Sequence, residues 1–139
     1  MKDIERNGMN WLLILFVVAA AGCATMADAR NGKGTGRFRV FPVPYDRIWA
    51  TIPEVIDGTG LEIREQNKDA GLMLADRPSG AWTSGEFVAI FVDKVDENHT
   101  RVEVVSRKRL ATNVTAMIWE GPILYWLAER LDVKPYEDH

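Results

Sequence analysis

Apolar positions along the chain change their spacing several times, and each change marks an element. Trp11 to Ala21 is an unbroken apolar run of 11 residues, too short for a bilayer-spanning helix, which needs about 20. Ala24 to Gly36 has small and polar residues with no apolar period, so it reads as a flexible coil linker. Arg37 to Val43 begins by alternating charged and apolar residues, as a half-buried strand does. From Pro44 to Asp57 the spacing becomes helical, with Tyr45, Ile48, Trp49, Ile52, Val55 and Ile56 on one stripe. Asp46 suits the first turn, Asp57-Gly58-Thr59-Gly60 supplies the stop, and Pro53 predicts a kink or a short irregular turn.

Four strands are predicted next. Leu61–Gln66 and Gly71–Asp76 flank the turn residues of 67–71, and Thr100–Ser106 follows the turn at Asp96–His99. Glu86–Val92 is β-branched and apolar on both faces, which predicts a central strand. In Thr100–Ser106, Val102 and Val104 are expected inward, Arg101 and Glu103 outward. A second helix begins at Gly121-Pro122, carries Ile123, Trp126, Leu127, Arg130 and Leu131 as its stripe, and stops before Pro135. The order β-α-β-β-β-β-α predicts a two-layer α+β domain over 37–134, an antiparallel meander of about five strands with both helices on one face, followed by a tail over 135–139.

Composition changes the reading of the N-terminal run. Cys23 is the single cysteine of 139 residues. The run is of secretory length, about 7–15 residues, and ends in small side chains. Ala20-Ala21-Gly22-Cys23 resembles the lipobox of bacterial lipoproteins. That resemblance implies a signal peptide over 1–22, cleavage between Gly22 and Cys23, and acylation of the Cys23 thiol with palmitate-like chains. Two or more acyl chains make anchoring stable, where one does not. Ala24 after the cysteine favours the outer membrane, facing the periplasm, over retention at the inner membrane. The segment 23–36 is then a lipidated cysteine and a flexible tether. The folded part uses no disulfide.

Charge narrows the partners. Removing residues 1–22 takes 17 basic and 20 acidic residues to 15 and 18, leaving the net charge at −3. A mildly acidic domain does not predict nucleic-acid binding. The fold order resembles a helix-grip arrangement, and the domains of the BAM-complex C lipoprotein and related small envelope lipoproteins. The residues behind this are Ala21-Gly-Cys23, Pro44-Tyr-Asp-Arg-Ile-Trp49 with Gly58-Thr-Gly-Leu61, and Leu110-Ala-Thr-Asn-Val-Thr115 with Trp119-Glu-Gly-Pro-Ile-Leu124. No catalytic residue is carried over from the resemblance.

Candidate chemistry is sparse. His99 sits in a turn and His139 is the last residue, so no nucleophile–base pair is visible, and no cofactor is expected. Asp93, Asp96, Glu97 and Asn98 lack the glycine and spacing of a calcium loop. Gly32-Lys-Gly-Thr-Gly36 precedes a strand, whereas a phosphate loop follows one, which favours a linker. Trp82, in a loop of small residues, either contacts a partner or ligand or folds back over the sheet. Arg107-Lys108-Arg109 either meets anionic headgroups or protects a sheet edge.

The expected function is a membrane-anchored, non-enzymatic interaction module in envelope assembly or maintenance, with an envelope protein as partner. The alternative is a carrier of a small apolar ligand between sheet and helix, lined by Trp82, Phe87, Phe91 and Trp126.

Overall fold

The computed structural model describes residues 24–80, 85–110 and 116–136. It contains helix α1 (Met26–Arg30), strand β1 (Arg37–Phe41), helix α2 (Tyr45–Asp57), strands β2 (Glu62–Asn67), β3 (Leu72–Arg77), β4 (Glu86–Lys94) and β5 (Thr100–Lys108), and helix α3 (Glu120–Leu131). The sheet is antiparallel throughout, in the order β1-β5-β4-β3-β2. The α+β reading therefore holds, with β4 at the centre of the sheet.

Period-two alternation divides the sheet residues between two apolar clusters. Val88, Ile90 and Val92 of β4, with Met73, Ala75, Val102 and Val104, face α2 and α3 and form the main core. Helix α2 contributes the stripe read from its sequence, and runs from Tyr45 to Asp57 in one piece with Pro53 inside it. Tyr45 stacks on Trp49 with ring centres 6.1 Å apart.

The stripe of α3 is Ile123, Leu124, Leu127, Ala128 and Leu131. At about 100° per residue these five span about 140°, which leaves Trp126 on the outer side, 39% exposed. Arg130 also points outward, to Glu54 at 2.8 Å. Both residues were expected on the buried stripe. The smaller Leu124 and Ala128 set the buried face instead, because they fit against a neighbouring helix.

The second face of the sheet carries the largest departure from the sequence reading. Phe87, Ala89 and Phe91 of β4, with Leu74 and Val105, form a second apolar cluster, and α1 covers it through the buried Ala29 and through Met26. The segment expected to be flexible coil thus folds back on the domain. Helix α1 is short, but a reciprocal cap holds its start: Thr25 N–H donates to Asp28 Oδ2 at 2.6 Å, and Asp28 N–H donates to Thr25 Oγ1 at 3.4 Å. Arg30 pairs with Glu65 of β2. One fully buried position, Ala29, in a small-residue segment gives no period to read.

The Thr25 backbone N–H, and then its hydroxyl, hold the Asp28 carboxyl below its ordinary value of 3.8. A carboxylate depressed in the folded state stabilises fully above that ordinary value, and the contribution is lost as pH falls through the depressed one. On acidification below about 3.8, the α1 amides are expected to exchange faster while those of β4 stay protected. Hydrogen exchange read by NMR checks this, and Asp28→Asn should remove the pH dependence.

The tail is also partly fixed. Tyr136 and Val40 exchange backbone hydrogen bonds of 2.8 and 3.3 Å, so Tyr136 lies along the outer edge of β1.

Candidate functional site

Glu103 was expected to point to solvent from β5, yet its side chain is fully buried, at 0% exposure. The reason is the glycine loop that links α1 to β1. Gly34 and Gly36 N–H groups donate to Glu103 Oε1 at 2.6 and 3.1 Å, and Arg101 Nη1 donates to Oε2 at 2.9 Å. The loop needs its glycines. Gly34 has φ +88°, and a Cβ on Gly36 would lie 2.1 Å from the Val104 carbonyl oxygen. Two amides of this loop, Gly34 and Gly36, do converge on an anion, but the anion is the protein's own carboxylate.

The second buried acid is Glu86, at the opposite end of β4 from the β4–β5 turn. Its Oε1 accepts the Met117 N–H at 3.2 Å, and its Oε2 lies 3.8 Å from Arg77 Nε. The Arg77 guanidinium sits 4.7 Å over the buried Trp119 ring and donates to the Thr59 carbonyl at 2.8 Å. Ser106 N–H donates to Glu120 Oε1 at 3.2 Å, and Trp119 N–H to Ser106 Oγ at 3.4 Å. These contacts gather the end of β3, the start of β4, the end of β5 and the start of α3 at one end of the sheet.

Arg107-Lys108-Arg109 lies at that end, but not as one patch. Alternation places Arg107 on the α1 side, where its Nη2 donates to Thr35 Oγ1 at 2.6 Å. Arg109 follows on the same side, 4.6 Å over the Phe87 ring and 3.9 Å from Asp76. Lys108 falls on the helix side. β1 covers only Thr100–Val104 of β5, so the end of β5 that carries these charges is paired with β4 on one side and borders an open stretch of edge on the other.

Trp82, Gly22 and Cys23 lie outside the described residues. The side chains expected to line a ligand space do not converge. Phe87 and Phe91 belong to the cluster under α1, on the opposite face of the sheet from α3, and Trp126 is on the outer side of that helix.

His99 faces both oxygens of Asp96 at 2.9 Å across its turn. The Asn98 backbone N–H first, and then His99, hold the Asp96 carboxyl below its ordinary range. The neighbouring Thr100 hydroxyl is turned inward to the Val43 carbonyl at 2.8 Å, so His99 and that hydroxyl do not share a cleft. Asp93 is taken by Lys33 at 2.6 Å and Arg101 at 3.6 Å. No group of three metal-ligating side chains occurs among the described residues.

The open surface of most interest is the β2 edge. It is a true sheet edge, whereas the β1 edge is occupied in part by Tyr136. Between β2 and the C-terminal half of α2 lies an open groove of about 540 Å³. Its apolar floor is Pro53, Ile56, Leu61 and Ile63, and its rim carries the acids Glu54, Asp57 and Glu62. A register shift between Ile63 and Glu65 bends the strand and limits pairing to a short stretch. A second depression, of about 370 Å³, is walled by Tyr45, Lys68 and Lys94, and the Tyr45 hydroxyl donates to the Lys68 carbonyl at 2.6 Å. Burial, first among the causes, pushes the Tyr45 phenol up.

No protein-family model and no curated protein matches the chain.

Proposed function

We propose that this protein is a lipid-anchored envelope lipoprotein whose folded part is an interaction module, docking an extended segment of an envelope protein along β2. The lipobox-like Ala20-Ala-Gly-Cys23 supports the anchor, and Ala24 supports placement at the periplasmic face of the outer membrane. The observation that carries the docking mode is the β2 edge, unpaired among the described residues, beside an apolar groove with an acidic rim.

An added strand gains affinity from main-chain hydrogen bonds, and specificity from side-chain pockets on alternate residues. Here the groove takes apolar side chains on the helix side; Glu54 and Glu62 of its rim are paired with Arg130 and Arg64, which leaves Asp57 to select a basic neighbour. The partner segment is therefore short, extended, and mixed apolar and basic.

The test is site-specific photocrosslinking in living cells. A crosslinker replacing Glu62 is expected to trap a discrete partner adduct, and one replacing the outward-facing Glu129 of α3 is not. Ile63→Lys should abolish the Glu62 adduct, because Ile63 is partly exposed and the change places a charge in the groove floor. Equal labelling from both positions, or an adduct indifferent to Ile63→Lys, would reject docking at β2.

A further inference from the structure

The structure shows where the proposed anchor leaves the domain. The Ala24 N–H donates to the Arg109 carbonyl at 3.1 Å, and Arg109 N–H in turn donates to the Gly85 carbonyl at 3.1 Å. Ala24 is therefore tied to the end of β5, and the cap at Thr25 and the buried Ala29 hold the next residues in place. Cys23 precedes Ala24 by one peptide bond, about 3.8 Å between α-carbons. A freely extended coil of 13 residues would have reached about 45 Å. An acyl chain on Cys23 thus emerges beside Arg109, with no slack to let the domain stand off.

The surface around that point suits a bilayer. Ile118 is 62% exposed and Met117 45%, and Leu110 is exposed as well. Met117 is held to the start of β4 by its N–H to Glu86, and Trp119 to the end of β5 by its N–H to Ser106. Lys108, the register partner of Glu86, and Arg109, bonded to Gly85, lie at the same end of the sheet as these apolar side chains, and basic groups near exposed apolar ones match anionic headgroups over acyl chains. The acids at this end of the sheet are engaged internally or lie far off. Asp76 is bound by Arg64 at 2.7 Å, Glu86 is buried, and Glu62 lies on β2, three strands from β5, about 14 Å away.

We infer that the end of the sheet formed by Lys108, Arg109, Leu110, Met117 and Ile118 is the face this domain lays on the membrane that holds its anchor, oriented by the Ala24–Arg109 bond. This rests on acylation of Cys23. It sets the β5 flank of that end on headgroups, with the β2 groove at the same end of the sheet, three strands away.

The experiment uses the processed full chain, purified and reconstituted in vesicles of phosphatidylethanolamine with a minority of phosphatidylglycerol. Cys23 is the only cysteine, so with its thiol acylated an introduced cysteine is the only free thiol. Ile118→Cys and Val95→Cys, the latter 56% exposed at the opposite end of the sheet, are labelled with a polarity-sensitive fluorophore. The label at 118 is expected to shift to the blue and lose quenching by aqueous iodide, while the label at 95 keeps both aqueous properties. Inserting about eight Gly/Ser residues after Ala24, about 16 Å of coil, is expected to restore iodide quenching at 118.

An acylated chain with both labels equally aqueous would overturn the inference and leave the anchor standing. Protection at 118 that survives the insertion would overturn the orienting role of the bond. Protection that persists in detergent and grows with protein concentration would assign the surface to a second copy and overturn the membrane contact. A chain without acyl mass would remove the anchor and this inference together.

Discussion

Glu103→Ala is expected to lower the free energy of unfolding by about 2–4 kcal/mol and to release the loop at 32–36 from the sheet. The carboxylate is the acceptor for two loop amides and the partner of Arg101. Alanine leaves all three donors without their acceptor at a position that is fully buried. Arg101 is partly exposed and recovers some solvation, which keeps the loss below that of a fully buried ion pair. Its guanidinium also retains the Phe38 ring, 3.9 Å away. Glu103→Gln keeps an acceptor oxygen for the loop but turns an NH2 donor toward Arg101, losing that bond with the charge, so about 1–2 kcal/mol is expected. Urea unfolding measures both. Amide exchange at Gly34 and Gly36 should accelerate more in the alanine variant than in the glutamine one. If both variants stay within about 0.5 kcal/mol of the native protein, the level of an ordinary surface change, the carboxylate does not hold the loop.

That residue also shows where reading the sequence stopped short. Alternation in Thr100–Lys108 assigns Glu103 correctly to the face opposite Val102 and Val104. It says nothing about what covers that face. The cover comes from residues 24–36, whose small side chains make no apolar period because α1 docks mainly through Ala29 and through backbone and capping contacts. A Gly-rich loop and a carboxylate 67 residues apart in the chain carry no joint signal. By contrast, the strands of the meander and the stripe of α2 were legible. Each depends on a period repeated over six or more residues with its own turn chemistry at both ends. In α3 the length was legible and the rotation was not, since Trp126 weighs heavily in any apolar count but fits only on the outside. Phe87 and Phe91 were readable as buried, yet the face they occupy depends on which side the helices take.

The same hidden contacts bear on function. A lipoprotein domain on a loose tether samples many orientations, and its binding surface has no fixed relation to the bilayer. Ala24 is tied to the end of β5, and the β2 groove lies at the same end of the sheet, three strands away. The proposed docking groove and the proposed membrane face therefore use different residues. Asp28 bears on this through its cap on α1, the helix that follows Ala24.

Trp119→Ala is expected to cost about 3–5 kcal/mol, the range for truncating a large buried aromatic. The ring is almost fully buried at the start of α3, packed in the main core and covered by the Arg77 guanidinium. Its removal opens a cavity under that charge, beside the buried Glu86. The backbone of Trp119 also accepts the Ile123 N–H at 3.0 Å in the first turn of α3, a bond that any residue keeps. The informative comparison is Trp119→Phe. The indole Nε1 is buried with no hydrogen-bond partner among the described residues, so phenylalanine loses ring volume but no hydrogen bond, and it removes a polar group buried without compensation. About 1 kcal/mol or less is expected from that balance. Thermal or urea unfolding of the pair decides it. A phenylalanine variant as damaged as the alanine one would mean that the indole N–H is bonded after all, and that this end of the sheet is held by a contact beyond packing and the Arg77 charge.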